Sequence, residues 1–478
     1  MTLLCLIAIW LGGFGLVRWM FPQPLRWSLH NISLFSLGVG TGAGVASCLY
    51  FLTLILAGPG YAPLASVAGA ALVISLAPGL FAQPKAPALN WAEGSAIPWY
   101  LTALFVLAMA LAVTMFVGAV TASPHGDEAA WSIWNLRARF LFRAGPFWRD
   151  AFSSDLSWTH LDYPLLVPGL IALCWKLANQ ESTDAPIAIA FLFALGTTGV
   201  LVGALGALRG KVYALLAGTL LLGTASFIAL SAALYGDVPL SFYILATLAL
   251  LCLQDRYPDN LSFCTLAGLM AGFAAWSRNE GAFFVVAVIV ARVVALFRFH
   301  QRAAIVPQLI RILAGLAAPL AVFITFKLRL AGPNEYLSQP ASLILKHLID
   351  IGRWILTAEG MVIVLFNFGR FLIPIILALA LYWYLVRFRV DARDRAGLAT
   401  AGIALSLTLA AQLLTDILYL ANLPLEVNTS FERILVQLWP AALLMFFLAS
   451  GPLQLVAPKP PEKGSRDKKT GKAVRQTR

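Results

Sequence analysis

The chain has 478 residues, 60% hydrophobic and only 12% charged, with a mean hydropathy of +0.82. Soluble domains carry about 25% charged residues, so the composition leaves little room for a soluble domain and predicts an all-α polytopic membrane protein. Half of the formal charge of +12 comes from residues 458–478, where eight Lys and Arg face two acids; that run reads as a disordered basic cytoplasmic tail near anionic lipid rather than a nucleic-acid contact.

Apolar runs near the 20 residues that a bilayer requires predict about 13 transmembrane helices. They lie near 1–17, 32–57, 61–82, 98–121, 185–208, 212–233, 238–254, 260–277, 281–298, 310–331, 361–387, 397–421 and 434–457. The first has no basic n-region and no small-residue cleavage site, so it reads as a span and not a signal peptide. Gly38, Gly40, Gly42 and Gly44 in the second, and Gly268 and Gly272 in the eighth, predict close helix packing. Residues 164–178 are too short and proline-rich to span and predict a helix at the outer surface. Cys5, Cys48, Cys174, Cys252 and Cys264 are scattered singly, without metal-ligand spacing or a disulfide framework. There is no phosphate-binding Walker motif.

Basic residues set the expected orientation. Arg18, Arg26, Lys85, Arg209, Lys211, Arg256, Arg298, Arg302, Arg311, Arg387, Arg389, Arg393 and Arg395 share one side if the N-terminus lies outside and the C-terminus in the cytoplasm. Lys327, Arg329 and the basic residues of segment 122–184 run against this pattern, but long loops translocate largely regardless of charge.

The segment from His125 to Pro168 is unlike its surroundings. It begins with the acidic pair Asp127-Glu128 just after an apolar helix, a costly placement that marks a functional site by default; helix capping is the plainer reading. Glu128, Ser132, Asn135 and Arg139 then recur on one helical face, with Ala130, Ile133, Trp134 and Leu141 opposite, which predicts an interfacial helix anchored by Trp. His125 and His160 would be the nearest metal ligands to the pair, but the spacing matches no metal motif. His160, Asp162 and Tyr163 follow in a compact run. Three more polar clusters, Tyr235-Gly236-Asp237, Arg278-Asn279-Glu280 and Glu432-Arg433, fall at helix ends predicted to lie on the same outer face. Charges of both signs at one depth predict a polar cavity.

In these residues the chain resembles the GT-C membrane glycosyltransferases, in the branch of the protein O-mannosyltransferases and lipid A aminoarabinose transferases. The likeness rests on Asp127-Glu128 opening the first large outer loop, His160-Leu161-Asp162-Tyr163-Pro164-Leu165, Tyr235-Gly236-Asp237, and the Gly268-Gly272 helix ending at Arg278-Asn279-Glu280-Gly281. It covers roughly residues 100–300, with a looser match at Arg433. The chain departs from the pattern in its single Pro164, in Arg278 where many relatives have Lys, and in three spans before the core.

The resemblance implies a GT-C fold divided into additional helices at 1–97, a catalytic core at 98–331 with outer loop 122–184, and a C-terminal membrane region at 332–457. It implies a multi-pass enzyme of the cell inner membrane, with its site facing the periplasm or exterior. The enzyme would move a sugar from a polyprenyl-phosphate donor to a hydroxyl of an envelope glycan, lipid or protein, inverting the anomeric centre. No cofactor is implied, and a divalent metal is not expected. Asp127 would be the base, with Glu128 binding the acceptor or sharing that role. Arg278 and Arg433 would meet the lipid phosphate, ahead of Arg137, Arg139 and Lys327. His160, Asp162, Tyr163 and Asp237 would hold the sugar, and Asn279, Glu280 and Glu432 complete the predicted site. A secondary transporter or lipid flippase is the alternative, and a non-catalytic membrane scaffold a third reading.

Overall fold

The structure, a computed structural model, describes residues 1–21, 29–81, 97–334, 338–418 and 423–451. Arg26, Lys85 and the basic tail 458–478 lie outside the described residues. Every described element is helical, apart from one isolated bridge between Phe388 and Ser450. In chain order the helices are α1 (Thr2–Met20), α2 (Leu29–Ala57), α3 (Ala62–Phe81), α4 (Trp99–Ala122), α5 (Asn135–Arg143), α6 (Leu166–Ala178), α7 (Asp184–Leu208), α8 (Lys211–Leu222) and α9 (Ala225–Ala232). They continue as α10 (Asp237–Arg256), α11 (Ser262–Ser277), α12 (Asn279–Arg298), α13 (Arg302–Arg329), α14 (Ala341–Ile349), α15 (Ile351–Asn367), α16 (Ile375–Val386), α17 (Arg395–Leu418) and α18 (Leu423–Ala449).

Among the described residues ten helices are long and apolar enough to cross a membrane, or eleven if α8 and α9, bent by 60°, form one span. The chain is therefore a multi-pass membrane protein in composition and architecture. Three predicted runs, seen here as α3, α11 and α16, have shorter apolar stretches among the described residues. The run predicted as one span at 361–387 is broken: α15 starts at Ile351, and Gly369 (φ 79°), Arg370 (φ 53°) and Pro374 separate it from α16. A left-handed pair followed by proline cannot continue a helix.

α10 is the axis of the bundle. It is buried along its whole spanning length, as a helix apolar on all sides must be. Around it pack α2, α7, α11, α17 and α18. The glycine run of α2 works in two directions. A Cβ on Gly38 or Gly42 would strike α1, at Phe14 and Ile9, and one on Gly40 or Gly44 would strike Phe242 of α10 and Phe273 of α11. Gly268 and Gly272 of α11 meet Ile312 and Pro319 of α13 in the same way. Small residues let these backbones approach, as predicted.

The two ends of the bundle carry different sets of polar contacts. At one end Arg256 bonds Leu208 O and pairs with Asp391, while Arg209 bonds Ser450 O. At the other lie Asp237, Arg278, Arg433 and segment 122–184. There Ser47 Oγ accepts from Trp276 Nε1 (3.0 Å) and donates to Leu165 O (3.1 Å), tying α2, α11 and α6 together. Tyr243 Oη donates to Gly40 O; at 1.5 Å per residue, Asp237 lies about 9 Å above that bond and Ser47 about 10 Å. α2 runs on from Ser47 to Ala57, about 15 Å further. The charged cluster is thus recessed beneath the end of α2.

Two predictions about the outer segment change. α6 has the expected length but is buried from Leu166 to Trp175, packed between α1, α2, α5 and α7 rather than lying on the surface. The interfacial helix begins as a π-turn, Ala130–Trp134, before α5. The wide turn shifts the helical phase, so Ser132 and Asn135 of the predicted polar face are buried. Trp134 is fully buried, while Trp131 is exposed.

Candidate functional site

Asp237 opens α10, where the helix dipole favours a carboxylate, and it is completely buried. Burial of a lone charge is prohibitive without partners, and Asp237 has three. Arg278 Nη1 donates at 2.9 Å, Arg433 Nη2 at 3.1 Å and Gln437 Nε2 at 2.6 Å. Arg278 also forks onto Glu280 at 2.6 and 3.2 Å. Its guanidinium lies 5.3 Å from the Tyr163 ring and 5.9 Å from Trp134. Burial works against the Arg278 charge, yet Asp237 and then Glu280 outweigh it and hold the group well above its ordinary range.

A second limb centres on Asp162, whose Oδ2 accepts from Asn279 Nδ2 and Asn334 Nδ2, both at 2.6 Å. Lys327 Nζ bonds Asp162 O at 2.5 Å and Asn279 Oδ1 at 2.7 Å. The Arg278-Asn279-Glu280 turn between α11 and α12 joins the two limbs. Tyr163 lies between His160, stacked at 4.8 Å, and Trp134, at 5.7 Å. Burial pushes the Tyr163 phenol up, with Arg278 the main opposing influence.

Arg137 shapes this loop from beneath. It is 1% exposed and donates to the carbonyls of Thr159 (2.7 Å), His160 and Tyr163 (3.3 Å). Burial lowers it to about 10, with Asp162 opposing. Arg139 pairs with Glu181 at 2.9 Å. Both arginines, considered from the sequence as phosphate ligands, are committed to the scaffold.

Asp127 and Glu128 are exposed, and neither carboxylate has an ion-pair partner among the described residues. Asp127 O accepts from Ala130 N (2.9 Å) and Trp131 N (3.3 Å), which places the pair at the start of the helical turn, where the helix dipole favours negative charge. Gly126 (φ 74°) brings the loop against the bundle: a Cβ there would lie 2.5 Å from Ala233 O and 2.7 Å from Ala130 Cβ. Asp127 N in turn donates to Ala233 O at 3.3 Å. Ala233 to Gly236 form the elbow before α10, so Asp127 and Asp237 flank one turn of chain. Tyr235 on that elbow lies under Arg433, 5.0 Å from its guanidinium carbon. Burial raises the Tyr235 phenol, Arg433 opposes and Asp127 adds to the rise.

Glu432 and Arg433 do not precede the last span as predicted; they lie within α18, which begins at Leu423 with Pro424 in its first turn. Glu432 accepts from Ser226 Oγ at 2.5 Å and lies 3.9 Å from Arg370 Nε. Ser226 also accepts from Gly369 N at 3.2 Å.

No protein-family model, curated protein sequence or solved structure matches the chain. The geometry alone therefore carries the functional reading. His160, Asp162, Tyr163, Asp237, Arg278, Asn279, Glu280 and Arg433 make up this cluster, Asp127 and Glu432 border it, and Glu128 is exposed next to Asp127 in the chain. Its members not picked out as site residues are Gln437, Asn334, Ser226, Trp134 and Arg370, while Tyr235 was read only as part of the Tyr235-Gly236-Asp237 motif. Gln437 stood one helical turn from Arg433, and Arg370 was a lone cation in an apolar run, so both had a readable signal.

From the edge of the cluster toward the opposite end of the bundle, a groove of about 560 Å³ runs between α4, α8, α16 and α18. Its walls are almost wholly apolar, including Leu107, Met115, Leu220, Phe371 and Phe446. Gly223 and Phe371 mark where it meets the Ser226–Glu432–Arg370 contacts. At the opposite end of the bundle Arg292 forks onto Asp255 (2.5 and 3.2 Å) and bonds Gln308 (2.7 and 2.9 Å). That pair is fully enclosed and joins α10, α12 and α13.

Proposed function

We propose that the chain is an integral membrane glycosyltransferase that moves a sugar from a polyprenyl-phosphate donor to an acceptor hydroxyl, inverting the anomeric centre. The observation that carries this reading is the juxtaposition at one bundle end of an exposed, unpaired carboxylate pair and a buried arginine–carboxylate network, with an apolar groove that leads from its Glu432–Arg370 edge toward the opposite end. A phospholipid-like donor needs all of these features: a channel for its chain, cations for its phosphate and a base beside its sugar.

In this mechanism Asp127 takes the proton of the acceptor hydroxyl as the oxygen attacks the anomeric carbon. The anomeric carbon–oxygen bond breaks, and the phosphate leaves with the electron pair. Arg433, 29% exposed, is better placed to receive that phosphate than Arg278, which is 4% exposed and held by two carboxylates. Arg278 instead fixes the frame, and a guanidinium fork suits both tasks. Glu128 shares the acceptor side. The His160–Tyr163 stack offers a platform for a sugar face, and Asp162, Asn279 and Glu280 fix its surroundings.

This site would face the exterior or periplasm of a cell inner membrane, with envelope glycan, lipid or protein as acceptor. A transporter or flippase would place ionisable groups at mid-depth. The buried pairs of α10 stand instead at its two ends, Asp237 and Asp255, which favours the enzyme.

The test is release of polyprenyl phosphate by the purified chain given a polyprenyl-phosphate sugar and an envelope extract. Asp127→Asn should reduce release by about 10²–10⁴-fold, the span of general-base catalysis, while donor binding persists. Equal turnover by wild type and variant would remove Asp127 from the base role, and no turnover with any donor would reject the enzyme.

A further inference from the structure

The chain's five cysteines look unrelated in sequence, but the fold brings two of them into contact. Cys5 Sγ on α1 lies 3.7 Å from Cys174 Sγ on α6, across 169 residues of chain. Cys174 is fully buried and Cys5 half-buried, while Cys48, Cys252 and Cys264 are all buried. Closing the pair to a bonded distance of about 2.05 Å requires the sulfurs to approach by under 2 Å.

Their position in the bundle matters. Gly42 of α2 meets Ile9, one turn further along α1 than Cys5. The antiparallel partner of Cys5 therefore lies about one turn above Gly42, beside Ser47, which holds Leu165 at the start of α6. Both thiols thus sit at the end that carries Asp237 and Asp127. α6 follows directly from Asp162 and Tyr163, so a bond there would anchor the site loop to the first helix.

We propose that Cys5 and Cys174 form a disulfide, closed by exchange with a small or protein disulfide on that side of the membrane. The half-buried Cys5 thiolate attacks one sulfur of the oxidant and displaces a thiol. The Cys174 thiolate then attacks the Cys5 sulfur of the mixed disulfide and displaces the second thiol. The oxidant disulfide is reduced to two thiols, which carry away the two protons lost by the cysteines. Such a bond persists only where that end of the bundle meets an oxidising compartment.

The experiment is to incubate the purified full-length chain with oxidised glutathione, block remaining thiols with a maleimide in denaturant, and map peptides by mass spectrometry. The expected result is loss of two of the five free thiols and a peptide linking Cys5 to Cys174, which reduction abolishes. In Cys5→Ser all four remaining thiols should stay free. Five thiols left in the wild type, a stable glutathione adduct on Cys5 alone, or a link through Cys48, Cys252 or Cys264 would each overturn the proposal.

Discussion

Gly126 illustrates how much a single position decides. Its left-handed backbone and the lack of room for a Cβ hold Asp127 against the elbow before α10. Ala at Gly126 would pay about 1–2 kcal/mol for a left-handed conformation and push the loop off Ala233. We expect Gly126→Ala to lower kcat at least tenfold with donor affinity little changed, as steady-state kinetics and a binding assay would show together. The acidic pair itself was legible because two carboxylates at an apolar helix end are conspicuous. Its supports were not: Gly126 and Ala233 are ordinary residues until the fold places them side by side.

At the scale of elements, ion pairs at the two bundle ends lock helices together. Arg292 and Asp255 are 0% and 2% exposed. Arg292→Met would leave Asp255 buried without its partner and should cost about 3–5 kcal/mol, read as a fall in thermal midpoint. Adding Asp255→Leu to that variant should recover part of the loss. Around the outer loop, Glu181 joins Arg139 and Arg143 of α5. Burial alone would raise the Glu181 carboxyl, but the hydrogen bonds and charges of the two arginines outweigh it and lower it. A carboxyl depressed by folding contributes stability above its unfolded pKa and loses it as pH falls through the lower folded value. Thermal unfolding should therefore separate wild type from Glu181→Gln at pH 7, and the gap should close as pH drops below about 4. Element breaks were harder to read than element types. The apolar run 361–387 looks continuous, yet Gly369, Arg370 and Pro374 split it. The π-turn at Ala130–Trp134 reversed the burial of Ser132 and Asn135, because periodicity assumes an unbroken α-helix.

For the whole molecule, the groove leads from the Ser226–Glu432–Arg370 edge of the cluster toward the opposite end of the bundle, and it should matter only for donors with long chains. Ala378→Trp would fill it from α16. We expect this variant to lower kcat/KM at least tenfold for a long polyprenyl donor and less than twofold for a donor with a short chain. Equal losses for both donors would disconnect the groove from the site.

Some of this organisation was present in the sequence. Composition alone determined a multi-pass helical membrane protein, since few chains so apolar can fold in water. Glycine spacing determined which faces of α2 and α11 pack closely, because a helix presents every fourth residue to the same neighbour. The acids and arginines of the cluster were visible as polar residues where apolar runs end. Only the tertiary structure decided which of them pair. Asp237 with Arg433, Asp162 with Asn279, Asp255 with Arg292 and Cys5 with Cys174 join segments far apart in the chain. Such contacts depend on how helices cross and rotate, which local periodicity does not encode. The same packing commits Arg137 and Arg139 to the scaffold and leaves Asp127 open to solvent.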